Sequence, residues 1–199
     1  MAACIGFTTA TTLVSASSFY CLFWDCTGLT DASELALPAT TLAESCYNRM
    51  FYNCKQLTAV SELPATSMTL ACYAYMFYGC TSLTTPPELP ATSGTTNQCY
   101  TSMFEECTNL ERMPVIYITT LAASSLGIGC CERMFYGCSK IQVSSSSNTT
   151  TYSFRFRIPA RNSGTATTNW NKDMFKYTGG SYVGNPTANS YYYTENAPV

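Results

Sequence analysis

Chemistry in this chain would have to begin with cysteine. Twelve cysteines stand beside no histidine at all. Eight of them form four C-x7-C pairs: Cys46 and Cys54, Cys72 and Cys80, Cys99 and Cys107, Cys130 and Cys138. Thiols can bridge, ligate a soft metal or attack as thiolates. Zinc sites place two ligands about two to four residues apart and then repeat the pair. That spacing is missing, and the adjacent Cys130 and Cys131 do not replace it. Without histidine, neither a Ser-His-Asp nor a Cys-His arrangement can form, nor a His-ligated metal site. The carboxylates are Asp25, Asp31, Asp173 and nine glutamates. A glycosidase-like acid pair could join, for example, Glu105 or Glu106 with Glu132, but these fall at variable surface positions of a repeat. The sequence therefore predicts no catalytic residue, no metal ligand and no cofactor.

The cysteine pairs belong to that repeat. CYNRMFYNCKQLT at 46–58 returns as CYAYMFYGCTSLT from Cys72, CYTSMFEECTNLE from Cys99 and CCERMFYGCSKIQ from Cys130. A worn copy, SFYCLFWDCTGLT, starts at Ser18. Units starting near 18, 46, 72, 99 and 130 follow one another at 26 to 31 residues, a period that signals stacked units sharing one core. The first half of each unit reads as a helix. Leu42, Cys46, Met50 and Cys54 recur at intervals of four, Tyr47 and Phe51 widen that face, and Glu44, Ser45, Asn48, Arg49 and Asn53 take the other. Thr40, behind Pro38, suits an N-cap, and Gly79 and Gly137 suit helix exits. The second half, as in LTAVSELP, is too short for a helix and reads as a strand. Leu57, Val60 and Leu63, then Leu83, Pro86 and Leu89, are its apolar positions, and Pro64 or Pro90 ends it. The expected fold is an α/β repeat solenoid of short strand-plus-helix units, with strands about 4.8 Å apart along the array. Extra residues fall only in the links between copies, as insertions in surface loops do.

On an intact helix the two cysteines of one pair lie about 12 Å apart, too far for a disulfide, which needs Cα atoms within about 7 Å. The cysteines read as small buried apolar residues between stacked units. A ladder of disulfides between equivalent positions of neighbouring units is the alternative. The Met-Phe pairs Met50, Phe51, Met76, Phe77, Met103, Phe104, Met134 and Phe135 complete the expected core with the eight paired cysteines.

Residues 1–17 read as a partial N-terminal repeat, because TTATTLVSASSFYCLF matches the register of LPATTLAESCYNRMF. The same stretch lacks the basic region of a signal peptide, and Thr and Ser interrupt it too often for a membrane span. A chain starting inside its array is a piece of something longer, or travels without a classical secretion signal, as a phage structural protein assembled in its host does. Residues 18–143 form the array. Residues 144–199 read as a C-terminal cap: a polar SSSSNTTT linker, an alternating strand YSFRFRIP, and WNKDMFKYTGGSYVG as a degenerate, cysteine-free last repeat with Trp170 at the first-cysteine position. The cap ends in NSYYYTENAPV, and Asn148-Thr149-Thr150 fits a glycosylation acceptor.

Only 11% of residues are charged, against roughly 25% in an average soluble domain. Net charge is -2 and no basic cluster exists, so nucleic acid is not an expected partner. The polar residues are mostly Ser, Thr, Asn and Tyr, a surface suited to glycans or other proteins. Many reduced thiols fit an anaerobic setting or a particle assembled in a cytoplasm.

The pattern C-Y-x-x-M-F-x-x-C-x-x-L-T-x-x-x-E-L-P resembles the BspA-type leucine-rich repeat of bacterial surface proteins, and is most similar to variants in gut bacterial surface proteins and in phage tail or fibre proteins. The resemblance spans roughly 8–143, about two thirds of the chain. The usual L-x-x-L-x-L spacing is loose here and the asparagine of common leucine-rich repeats is absent. The resemblance implies a leucine-rich-repeat-like stack, a location in a virion or at a cell surface, and adhesion or receptor binding without catalysis. A host-cell glycan or protein is the implied ligand. Exposed strand positions Thr58, Ser61, Thr84, Thr85, Glu111 and Arg112 would form the binding face. The alternative is a structural part, such as a decoration, linker or assembly subunit, whose partners are other virion or surface-layer subunits, including copies of itself.

Overall fold

The computed structural model describes residues 11–91, 96–114, 127–146, 154–157, 169–182, 184–186 and 190–194. Among them there is no α-helix, so the strand-plus-helix solenoid is not the fold. The segments expected as helices are chains of overlapping turns. In the copy at 45–54, alternate N–H groups bond three residues back: Asn48 N to Ser45 O at 3.2 Å, Met50 N to Tyr47 O at 3.2 Å, Cys54 N to Phe51 O at 3.1 Å. The intervening ones leave the segment. Tyr47 N donates to Cys72 O at 3.0 Å, Arg49 N to Ala74 O at 3.0 Å, and Phe51 N to Met76 O at 2.9 Å. Every second backbone donor thus closes a turn, and every other one ties the copy to the next.

This ribbon needs a left-handed residue at every fourth position. Ser45, Arg49 and Asn53 have φ of 52°, 56° and 57°, and the same slots recur as Ala71, Tyr75 and Gly79, and as Gln98, Ser102 and Glu106. An α-helix admits no such residue. The third slot explains the two glycines expected as helix exits. Gly79 and Gly137 occupy it at φ 69° and 74°, where Asp25 and Asn53 stand in earlier copies. Thr40, expected as an N-cap, has no helix to cap, and its N–H bonds to Thr11 O at 2.9 Å.

Six such layers are described, at 17–26, 45–54, 71–80, 98–107, 129–138 and 169–178. They stack in sequence order with side chains in register. Phe23, Phe51, Phe77, Phe104, Phe135 and Phe175 form one ladder, with ring centroids 5.4, 5.5, 5.5, 5.7 and 6.1 Å apart. Phe19, Tyr47, Tyr73 and Tyr100 form a second. The Met50, Met76, Met103 and Met134 column and all eight paired cysteines are fully buried beside them. In each of the four layers from 45 to 138, a strict four-residue sequence period becomes two inward columns.

The link halves form little strand. β1 (Asp31–Ala32) and β2 (Ala59–Val60) pair in parallel, Asp31 beside Ala59. Pro86-Pro87 in the third copy lack the N–H groups a ladder needs. Link side chains Leu57, Leu63, Leu83 and Leu89 still enter the core. A second sheet of order β4-β6-β3-β5 joins β3 (Gln142–Ser144), β4 (Phe154–Arg157), β5 (Gly179–Gly180) and β6 (Tyr191–Thr194). β3 runs parallel to β5 and antiparallel to β6, which also pairs antiparallel with β4. Gly179–Gly180, expected as a turn after a helix, is thus a strand following the last turn layer. Thr149, Thr150 and Asn148 lie outside the described residues.

One substitution separates turn layers from helices, and a second measures the ladder. Gln98 is exposed at φ 56°, so Gln98→Gly raises stability by about 0.5–1 kcal/mol in urea unfolding, where in a helix interior it would lower it by a similar amount. Phe77→Ala opens the middle of the ladder and lowers stability by about 3–5 kcal/mol in the same assay.

Candidate functional site

In the four layers from 45 to 138 the second cysteine has a defined partner. Cys54 Sγ donates to Phe23 O at 3.0 Å, Cys80 to Phe51 O at 3.1 Å, Cys107 to Phe77 O at 3.0 Å and Cys138 to Phe104 O at 3.0 Å. Each of these carbonyls also accepts a turn N–H from its own layer, so the thiol fills the remaining lone pair. A thiol is small and apolar enough for full burial, yet still donates. Burial pushes Cys46 up to about 11 and Cys54 up to about 12, and raises Cys72, Cys80, Cys107 and Cys138 as well. Cys130 is raised too, first by its thiol contacts with Cys131 and Cys99. These are protonated thiols, poor nucleophiles and poor ligands. All described cysteines are free, and no group of three or more His, Cys, Asp or Glu among the described residues is placed to hold a metal.

The carboxylates considered for acid chemistry are not a free pair. Glu105 is buried and takes both Nε and Nη2 of Arg133, the Nε at 2.9 Å. This pairing keeps the Arg133 guanidinium firmly charged.

The six residues expected to form a binding face sit on the link edge of successive layers. Thr58, Thr85 and Glu111 are exposed; Ser61, Thr84 and Arg112 are half-buried. Thr58 and Thr30 meet through Thr58 N and Oγ1, both 2.9 Å from Thr30 O, and Glu111 N meets Thr84 O at 2.9 Å. Three of the side chains are engaged within the edge itself: the Thr58 hydroxyl in that bond, Arg112 with Glu88 at 3.0 Å, Glu111 with Lys140 at 3.7 Å. The edge is a lateral seam with part of its polar capacity already used.

The turn edge carries a different set, which sequence reasoning did not single out. The residue after the Met-Phe pair or its equivalent is Trp24, Tyr52 and Tyr78 in the first three layers, and all three reach the surface. Their rings stack at 4.4 and 4.5 Å, tighter than the core ladder, within 17° of parallel. Beside them Arg49 lies over the Tyr75 ring at 4.3 Å, and Tyr75 tilts against Tyr78 at 6.4 Å. Further along, Arg133 covers the Tyr136 ring at 3.6 Å. Trp24 is 42% exposed and Tyr52, Tyr75, Tyr78 and Arg49 are half-buried. The signal was a Trp or Tyr after the Met-Phe position in four of the six copies, broken only by Glu105 and Lys176. Packed helices lie about 8–10 Å apart, too far for rings at 4.4 and 4.5 Å. The turn ribbon keeps them in one column.

No family model matches the chain, and no curated protein or solved structure matches it. Among the described residues no helix is long and apolar enough to cross a membrane.

The thiol geometry carries a measurable pH dependence. Folded-state pKa values raised above the ordinary 9.0 mean that the unfolded chain loses its protons first as pH rises. Stability is therefore complete below pH 9 and declines as pH climbs through 11 for Cys46 and 12 for Cys54. Thermal melting across this range reads the decline, and Cys54→Ala makes it shallower. At pH 8, maleimide labelling with mass detection marks Cys21 and Cys26 well ahead of the nine buried cysteines, which label after urea unfolding.

Proposed function

We propose that the chain is a non-enzymatic recognition module of a bacterial surface protein or a phage tail or fibre, binding a host-cell glycan or protein through its turn edge. The observation that carries this is the outward column of Trp24, Tyr52 and Tyr78 with Arg49 and Tyr75 packed against it. Tyr, Trp and Arg dominate binding hot spots, because they offer large contact area and directional polar groups with few torsions to freeze. Here that freezing is already done: each ring is held by its neighbour in the stack, so little entropy remains to be lost on binding. Aromatic rings and phenol hydroxyls suit hydroxyl-rich sugars and peptide groups alike. The sequence resemblance to BspA-type repeats supports the same class of role and the location in a virion or at a cell surface. A structural role in a larger assembly is the second reading, favoured by the layer-to-layer hydrogen bonds through which like units stack.

Labelled chain titrated onto a panel of gut bacterial cells tests it. Saturable binding to some strains is expected, with an affinity loss of about 10–100-fold when Arg49, Tyr52 and Tyr78 are changed together to Ala. The same treatment of Thr58, Thr84 and Arg112 leaves binding nearly unchanged. The reverse pattern would move the site to the link edge, and binding to no strain would remove the recognition role.

A further inference from the structure

One layer breaks the cysteine pattern. The position after the first paired cysteine holds Tyr47, Tyr73 and Tyr100 in three successive copies, and Cys131 in the next. The tyrosines are buried rings of the second ladder. Cys131 puts a thiol in their place, 8% exposed where Cys99 and Cys130 are at 0%. Cys130 Sγ lies 3.8 Å from Cys131 Sγ and donates to it. The Cys130 thiol also meets the thiol of Cys99, its counterpart in the preceding layer. Three sulfurs are thus gathered at one layer boundary. Elsewhere the thiols of Cys54, Cys80, Cys107 and Cys138 are spent on carbonyls, and that of Cys72 on Met68 Sδ at 3.6 Å.

The boundary has the spacing of a disulfide. Tyr100 N donates to Cys130 O at 2.8 Å, and the Phe104 and Phe135 rings of the same two layers lie 5.7 Å apart. A disulfide spans Cα separations of roughly 4.4–6.8 Å. Adjacent residues are held at about 3.8 Å, so a Cys130–Cys131 bridge is strained, and strained bridges are readily exchanged. The Cys131 N–H is also tied to Trp170 O at 2.7 Å, which resists the backbone shift such a bridge needs.

We infer that Cys99, Cys130 and Cys131 form an oxidation site that consumes a hydroperoxide and ends as a Cys99–Cys130 disulfide, stapling the fourth layer to the fifth. Cys131 is the entry point, as the member of the three that reaches the surface. Its sulfur attacks the peroxide O–O bond, becomes a sulfenic acid, and one water leaves. The Cys130 sulfur displaces the sulfenic hydroxyl, which departs with the Cys130 proton as a second water. The Cys99 sulfur then attacks Cys130 Sγ, and its proton passes to Cys131, whose thiol is restored. Two thiols are oxidised and one peroxide is reduced to two waters. The staple falls where it constrains most among these copies: 31 residues separate Cys99 from Cys130, against 26 to 28 between the earlier units, and a bridge closing a longer loop removes more freedom from the unfolded chain. The site is separate from the turn edge and does not depend on what that edge binds.

The full chain with Cys4, Cys21 and Cys26 changed to Ser is treated with hydrogen peroxide, then unfolded in urea and alkylated. Trypsin cuts after Lys55, Arg112 and Arg133, so Cys99 lies in peptide 56–112 and both Cys130 and Cys131 in peptide 113–133. Mass mapping is expected to find these two peptides joined through Cys99 and Cys130, with Cys131 alkylated. Cys99→Ala leaves the disulfide inside peptide 113–133, and Cys131→Ala loses the cross-link at the same peroxide dose, with circular dichroism reporting that each variant is folded. A first disulfide between any other pair, a bridge that stays inside peptide 113–133 in the parent chain, or peroxide treatment that yields no disulfide overturns the proposal.

Discussion

Everything in this molecule follows from how its turn layers divide their backbone donors. Half of the N–H groups close turns within a layer, and half reach the carbonyls of the next. A helix satisfies its own backbone and can stand apart from its neighbours. A turn layer cannot, because a lone one would leave every second donor unmet. The stack is therefore obligatory, and hydrogen bonds rather than side chains alone set its register. That register aligns Phe over Phe and Met over Met through successive layers.

The left-handed residues are the conformational cost of this arrangement. Fifteen non-glycine residues among those described have positive φ, at about 1–2 kcal/mol each against a right-handed alternative. Interlayer bonds and fully buried ladders offset it collectively. The cysteines belong to the same economy of space. Between layers held this close, a side chain must be small, apolar and still able to donate to a carbonyl with a spare lone pair, and the thiol of Cys54, Cys80, Cys107 or Cys138 does all three. Some polar groups are left behind: the buried hydroxyls of Tyr73 and Tyr100 have no partner among the described residues, a cost of about 1–3 kcal/mol each.

The polarity of those bonds also gives the stack its asymmetry. Each layer donates to the one after it, and Tyr182 and Tyr192 pack against Phe175 of the last described layer. Along the sides, the link edge uses much of its polar capacity on internal bonds, while the turn edge displays stacked aromatics beside arginine.

The sequence alone shows the repeat and the column of Cys, Met and Phe that each copy shares, because stacked units must bury the same column of residues in every copy. The tertiary structure decided the conformation of that column. Leu42, Cys46, Met50 and Cys54 lie four apart, which a helical face of 3.6 residues per turn tolerates over three turns and a four-residue turn ribbon matches without drift. Only the partners across the layer boundary distinguish the two, since the donors of Tyr47 and Phe51 find acceptors in residues of a different copy. The outward column of Trp24, Tyr52 and Tyr78 went unread for the same reason. Their adjacency exists only once the layers are stacked, and no local pattern in the chain states that they touch.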